Sequence, residues 1–234
     1  MTERGARHCS RSADSFHIGP SQWHWDGQAL VIDMDEVCVP LPRRIQGRVR
    51  VHPQQLFNFG VNLEPEGRHR WGPIAPSARV EVQLQNPHQS WQGHAYLDSN
   101  EGDEPIDRPF KEWDWSRSLL ANGDTAVLYD LHLKNGDNPV LAYRFDTQGG
   151  VTHFEPPAVH HLGRTKWALA RRMRSDGAVQ VKQQLEDTPF YQRAVLQSSL
   201  LGENVESFHE TLHTGRLVSP VVQAMLPWRM PRRF

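Results

Sequence analysis

The stretch "WQGHAYLDSNEGDEP", residues 91–105, places His94, Tyr96 and Asp98 at every second position. In an extended strand that spacing puts imidazole, phenol and carboxylate on one face. Trp91, Gly93, Ala95 and Leu97 fall on the opposite, apolar face. Upstream, "RHRW" sets His69 and Trp71 two apart, hence together on one face of their own segment. These are the residue types of general acid–base chemistry. Two readings stay open from spacing alone: a polar face turned to water with one buried Trp, or a pocket wall that does chemistry.

Other sites fare worse. In "DSNEGDEPIDRP" Asp98 and Asn100 take the first and third places of a calcium loop. The glycine falls at the fifth place, however, and Pro109 stands where a bidentate Glu is needed. The thirteen histidines show no helical pair beside a Glu, and His160–His161 are adjacent, so they read as ordinary surface histidines and no metal site is expected. No G-x-S-x-G or glycine-rich phosphate loop occurs. Lys and Arg total 26 against 27 Asp and Glu, a balance that excludes the basic excess of a nucleic-acid binder. Cys9 and Cys38 make no disulfide framework, which fits a reducing compartment.

The elements that must position these residues are strands. "ALVIDMDEV", "ARVEVQLQ", "TAVLYDLHL", "KWALARRM" and "AVQVKQQL" alternate with period two. "NGD" at 122–124, "NGDN" at 135–138 and "QGG" at 148–150 mark turns between such runs. Many short strands with turn signals predict an antiparallel sandwich or barrel. One short helix is predicted in "SPVVQAML", capped by Ser219 with Pro220 in its first turn. Pro73 and Pro76 in "WGPIAPSARV" predict a boundary near Ile74, dividing the chain into residues 1–74 and 75–234. The polar opening residues run directly into β pattern, as though the chain starts partway through a fold. No apolar run approaches the length of a membrane span, while the "LPWRMPRRF" ending, with Trp228, Phe234 and its arginines, suits contact with a membrane surface.

Taken as an ordered set, "SFHIGPSQWHWDGQALVIDMDEVCVPLPRRIQGRVRVHP", "PIAPSARVEVQLQ", "WQGHAYLDSNEGDEP", "WDWSRS", "LEDTPFY" and "LPWRMPRR" resemble the carotenoid 1,2-hydratase (hydroxyneurosporene synthase) family. The resemblance runs from about Phe16 to the C-terminus. It implies an all-β fold of two lipocalin-like antiparallel barrels in tandem. Residues 1–74 would be the tail of the first barrel, and 75–234 the whole second barrel with its short C-terminal helix. The implied activity is cofactor-free addition of water to the terminal C1=C2 bond of an acyclic carotene such as neurosporene or lycopene. The substrate would be drawn from a membrane by a protein attached peripherally to its cytoplasmic side.

The family's acid is carried onto Asp98, and its supporting residues onto His69, Trp71 and Tyr96. His94 and Trp91 are secondary candidates for substrate binding. An aspartic acid of ordinary pKa, about 3.9, is protonated about one time in a thousand at pH 7, a cost of about 4 kcal/mol. Burial among rings would reduce that cost. Trp71 and Tyr96 are expected to face the carbocation, and a neutral His69 to accept a proton. Rival readings are a non-catalytic lipocalin-like binder of an apolar ligand, a different lipocalin-like enzyme, and an inactive truncated hydratase.

Overall fold

Alternating sequence becomes antiparallel strand through most of the chain. The computed structural model describes residues 3–38, 41–226 and 232–233. The first strands are β1 (Glu3–Arg4), β2 (Cys9–Arg11), β3 (Ser15–Ile18), β4 (Ser21–Trp25), β5 (Leu30–Val37) and β6 (Arg44–Pro53). There follow β7 (Val61–Asn62), the long β8 (His69–Asn86) and β9 (Gln89–Gly102). Their sheet runs in the order β2-β3-β4-β5-β6-β8-β7, with β9 on β8. Register explains the pattern of residue types. Val49 opposes Val82 and Val51 opposes Val80, whereas Asp33 opposes Arg48 and forms an ion pair with it at 2.6 Å. Valines thus meet on the buried face, and charges meet at the surface.

The second half contributes β10 (Phe110–Leu119), β11 (Thr125–Leu133), β12 (Val140–Phe145), β13 (Val151–His153), β14 (Val159–Leu162) and β15 (Arg171–Arg174). It ends with β16 (Gln180–Asp187), β17 (Tyr191–Leu200), β18 (Glu203–His213), α1 (Thr214–Leu217) and α2 (Pro220–Met225). A seven-stranded sheet takes the order β13-β12-β11-β10-β18-β17-β16, and β14 pairs β15 apart from it. The three predicted turns join β10 to β11, β11 to β12 and β12 to β13. Gly123, Gly136 and Gly149 in them adopt φ of +89, +99 and +95 degrees, a region that suits glycine.

The chain forms two compact units interleaved in sequence. One comprises residues 1–55, 77–97 and 223–234; the other comprises 56–76 and 98–222. The expected boundary near Ile74 therefore falls inside β8. Pro73 and Pro76 do not end that strand, because a proline lacks only the donor and its carbonyl still accepts. Pro76 O receives the Thr125 hydroxyl at 3.0 Å. "KWALARRM" becomes strand only from Arg171. Before it, the chain turns at Thr165–Ala168, with Ala168 at φ +57 degrees. The C-terminal helix forms as predicted, and Ser219 Oγ accepts the Val222 N–H at 3.5 Å. Trp228 and Phe234, on which the membrane-contact expectation rests, lie outside the described residues.

Candidate active site

β8 begins at His69 and carries Trp71 two residues on, so both side chains take one face. They are 2% and 1% exposed. A hairpin sets them: "EPEG" turns the chain between β7 and β8, with Gly67 at φ +68 degrees, and Val61 pairs with Trp71. Asp98 arrives near the end of β9. The Trp71 indole N–H donates to Asp98 Oδ2 at 2.8 Å, which joins two segments 27 residues apart.

Charge complementarity holds the same strand ends together. The acidic turn after Asp98 meets the arginines flanking His69. Arg68 pairs with Glu104 at 2.9 Å, and Arg70 lies 3.8 Å from Glu101 and 3.6 Å from Asp103. The Asp103 N–H also donates to Arg68 O at 2.9 Å. Exposed pairs of this kind contribute only about 0–1 kcal/mol each, so the backbone bond and the buried indole do more to fix the geometry.

Around Trp71 the environment is aromatic. Its ring meets Phe59, Tyr129 and Phe145 edge-on, at centroid distances of 6.4, 5.8 and 6.4 Å. Such contacts are the favoured arrangement of ring quadrupoles. Burial, and then the neighbouring charges of Asp98 and Glu210, push the Tyr129 phenol far above its ordinary pKa, so it keeps its proton. The carboxyl of Asp98 thus accepts from an indole that is itself packed among rings, and its charge is felt at Tyr129.

His69 is bound differently from the expectation. Its backbone N–H donates to Glu64 Oε1 at 2.8 Å. Ring Nε2 lies 3.0 Å from Glu104 O, and Nδ1 lies 3.6 Å from Glu64 Oε1. A carbonyl oxygen only accepts, so Nε2 is the donor to Glu104 and does not serve as an acceptor for a proton. Phe110 closes against the ring at 5.1 Å. Gly102 also passes close to the ring, where a Cβ would sit 2.8 Å from His69 Cδ2.

Tyr96 precedes Asp98 by two residues on β9 and is half-buried, with its hydroxyl oxygen enclosed. His94 is exposed, and Trp91 is 54% exposed. Among the described residues, no three of His, Cys, Asp and Glu gather where one metal ion would reach them.

The family model for the carotenoid hydratase CrtC matches residues 1–234. The chain belongs to this family. It is 55% identical over 235 residues to the acyclic carotenoid 1,2-hydratase of Rubrivivax gelatinosus and 44% identical to that of Thiocapsa roseopersicina. All or nearly all of the chain is covered in both matches, and it spans 58% of the length of each relative. With the Cereibacter sphaeroides enzyme of the same name it shares 33% identity and covers 84% of that protein. A crystal structure of a protein assigned as AttH from Nitrosomonas europaea matches at a TM-score of 0.63 and 11% identity, covering 88% of this chain and 71% of that one. That likeness concerns the fold alone. The predicted class, all-β, antiparallel and lipocalin-like, is borne out.

The sequence did not point to Glu64, Glu104 or Tyr129. Glu64 had a usable signal. The "EPEG" turn implies that residues before it pair back onto "RHRW", which brings Glu64 beside His69. Glu104 acts through its backbone oxygen and Tyr129 from a distant strand, and spacing reveals neither.

Proposed function

We propose that this chain carries the acid site of an acyclic carotenoid 1,2-hydratase. Asp98 delivers a proton to C2 of the terminal double bond. The cation then rests on C1, the more substituted carbon, where water adds. The proton that water sheds returns to the Asp98 carboxylate, so the sum is H and OH added across C1=C2 with the carboxyl regenerated. No cofactor enters this balance.

The observation that carries the reading is the Asp98 carboxyl held by the N–H of Trp71, an indole itself packed against Phe59, Tyr129 and Phe145. The indole donor holds the carboxyl by Oδ2 and so fixes its orientation at the end of β9. Ring faces attract positive charge by about 0.5–2 kcal/mol each, and they do so only once the cation develops. Support also comes from the hydratase names of the relatives matched over the entire chain. Peripheral attachment to a bilayer, from which so apolar a substrate is drawn, belongs to the same reading.

The test is Asp98→Asn, expressed in lycopene-producing cells in the context of the relatives' full length. Unsubstituted protein yields a carotenoid eighteen mass units heavier with a tertiary hydroxyl. The variant folds and yields none. Product at the unsubstituted level from Asp98→Asn refutes the assignment.

A further inference from the structure

The Glu64 side chain is only 1% exposed, yet Glu64 belongs to no part of the reaction described so far. Its Oε1 accepts the His69 backbone N–H and also faces ring Nδ1, at 2.8 and 3.6 Å. The opposite ring nitrogen carries a hydrogen, because it meets the Glu104 carbonyl. Nδ1 is then either bare or protonated. A bare Nδ1 would turn its lone pair towards a carboxylate, and it has no hydrogen-bond partner among the described residues. A protonated Nδ1 forms a buried ion pair with that carboxylate after a slight ring rotation.

Glu64 itself is suited to be the anion. Burial opposes its ionisation, but hydrogen bonds from His69, Glu66 and Arg68 outweigh burial and hold its carboxyl below the ordinary value. It also lines a pocket of about 380 Å³ edged by Arg68, Arg108 and Lys134, whose charges favour the carboxylate. The charged groups facing the imidazole are therefore Glu64, from the turn before β8, and Glu104, which Arg68 neutralises. Phe110 from β10 presents only a ring edge.

We propose that Glu64 is a positioning residue that keeps His69 doubly protonated, with the ring fixed between the Glu64 carboxylate and the Glu104 carbonyl where β9 leaves Asp98. His69 then serves as a fixed cation that locks the two strand ends, not as a base for the attacking water. The catalytic consequence rests on the proposed hydration. The protonation itself does not.

Long-range proton–nitrogen correlation spectra of the ¹⁵N-labelled chain at pH 7 test it, with His69 identified by its loss in His69→Gln. Both ring nitrogens of His69 fall in the protonated range in the unsubstituted chain. Glu64→Gln leaves one bare nitrogen, and Glu64→Asp keeps both protonated with Nδ1 displaced. A bare nitrogen in the unsubstituted chain overturns the proposal, and so does an unaltered His69 spectrum in either variant. Circular dichroism establishes that each variant is folded, and Glu64→Asp decides should Glu64→Gln not fold. In the carotene assay, Glu64→Gln lowers kcat about ten-fold at unchanged KM, as loss of one charge-assisted bond predicts, and Glu64→Asp restores part of it. An intact ion pair with no hydration in any form counts against the hydration reading and leaves the ion pair standing.

Discussion

One indole N–H is the most consequential contact at residue scale. Trp71 was expected to offer its π face to a cation, and its observed bond is through nitrogen to Asp98. Trp71→Phe separates the two roles, since it keeps a ring and deletes the donor. A hydrogen bond to a charged group contributes about 1.5–3 kcal/mol, so the variant should lose about 10- to 100-fold in kcat with KM little changed. An undiminished kcat would assign Trp71 to packing alone. Elsewhere, Asp114 and His209 form a second buried pair of titrating groups. Burial raises the Asp114 carboxyl to about 6, against the opposing pull of the Thr211 hydroxyl and Arg172. Burial likewise lowers His209 to about 4, which agrees with Nε2 near Arg172 O and Nδ1 near the Gln192 amide, the bonds of a neutral ring. Asp114 binds its proton more tightly folded than unfolded, so its contribution is full below about pH 4 and fades as pH rises through 6. His209 binds its proton less tightly folded, so its contribution is full above about 6.5 and fades as pH falls through 4. Each is worth on the order of 3 kcal/mol, and over the shared window they oppose each other. Relative to the unsubstituted chain, Asp114→Asn should gain urea resistance from pH 4 to 6.5, and His209→Gln should lose it. Parallel curves would show that neither group titrates as its burial implies.

Elements were more legible than their meeting points. Alternation named β11, and the "NGD", "NGDN" and "QGG" turns fell where the chain reverses between β10 and β13, because both signals are local: side-chain period and positive φ. Pro73 and Pro76 misled because they are also local signals, and the pairing that carries β8 through them is not. For the site, alternation put His69 with Trp71 and Tyr96 with Asp98. What it could not give was the direction of each ring: Trp71 bonds Asp98, and His69 turns to Glu64 and Glu104. Strand geometry states a face, whereas partners across a fold depend on register between segments. Gly102 shows how tightly these ends approach. Gly102→Ala would place its Cβ 2.8 Å from His69 Cδ2 and 3.3 Å from Glu104 O. Overpacking of this order costs about 1–3 kcal/mol. The ring must move off Glu104, so activity should fall while far-ultraviolet dichroism stays the same. Full activity in Gly102→Ala would mean that the His69 ring position is immaterial.

At the scale of the whole molecule, the proposed function raises the question of how the protein would meet a hydrocarbon. Among the described residues no helix is long and apolar enough to cross a membrane. In the second unit, the space beside Asp114, Asp130 and His209 amounts to about 10 Å³, too small to hold a polyene. An acyclic carotene cannot travel through water to reach Asp98. At about 0.8 kcal/mol per buried carbon, freeing its chain from lipid costs on the order of 20–30 kcal/mol. Extraction of only the terminal isoprene unit costs a small part of that, which on the proposed reading reburial beside the rings around Trp71 would offset. On the proposed reading, the reaction would therefore take place with most of the substrate still in the bilayer. Flotation with lycopene-loaded vesicles should carry the protein of the relatives' full length to the lipid layer, and hydration should scale with vesicle surface at fixed lycopene. A rate set by lycopene content alone, with the protein left in the aqueous layer, would exclude direct uptake from the membrane and require a separate carrier.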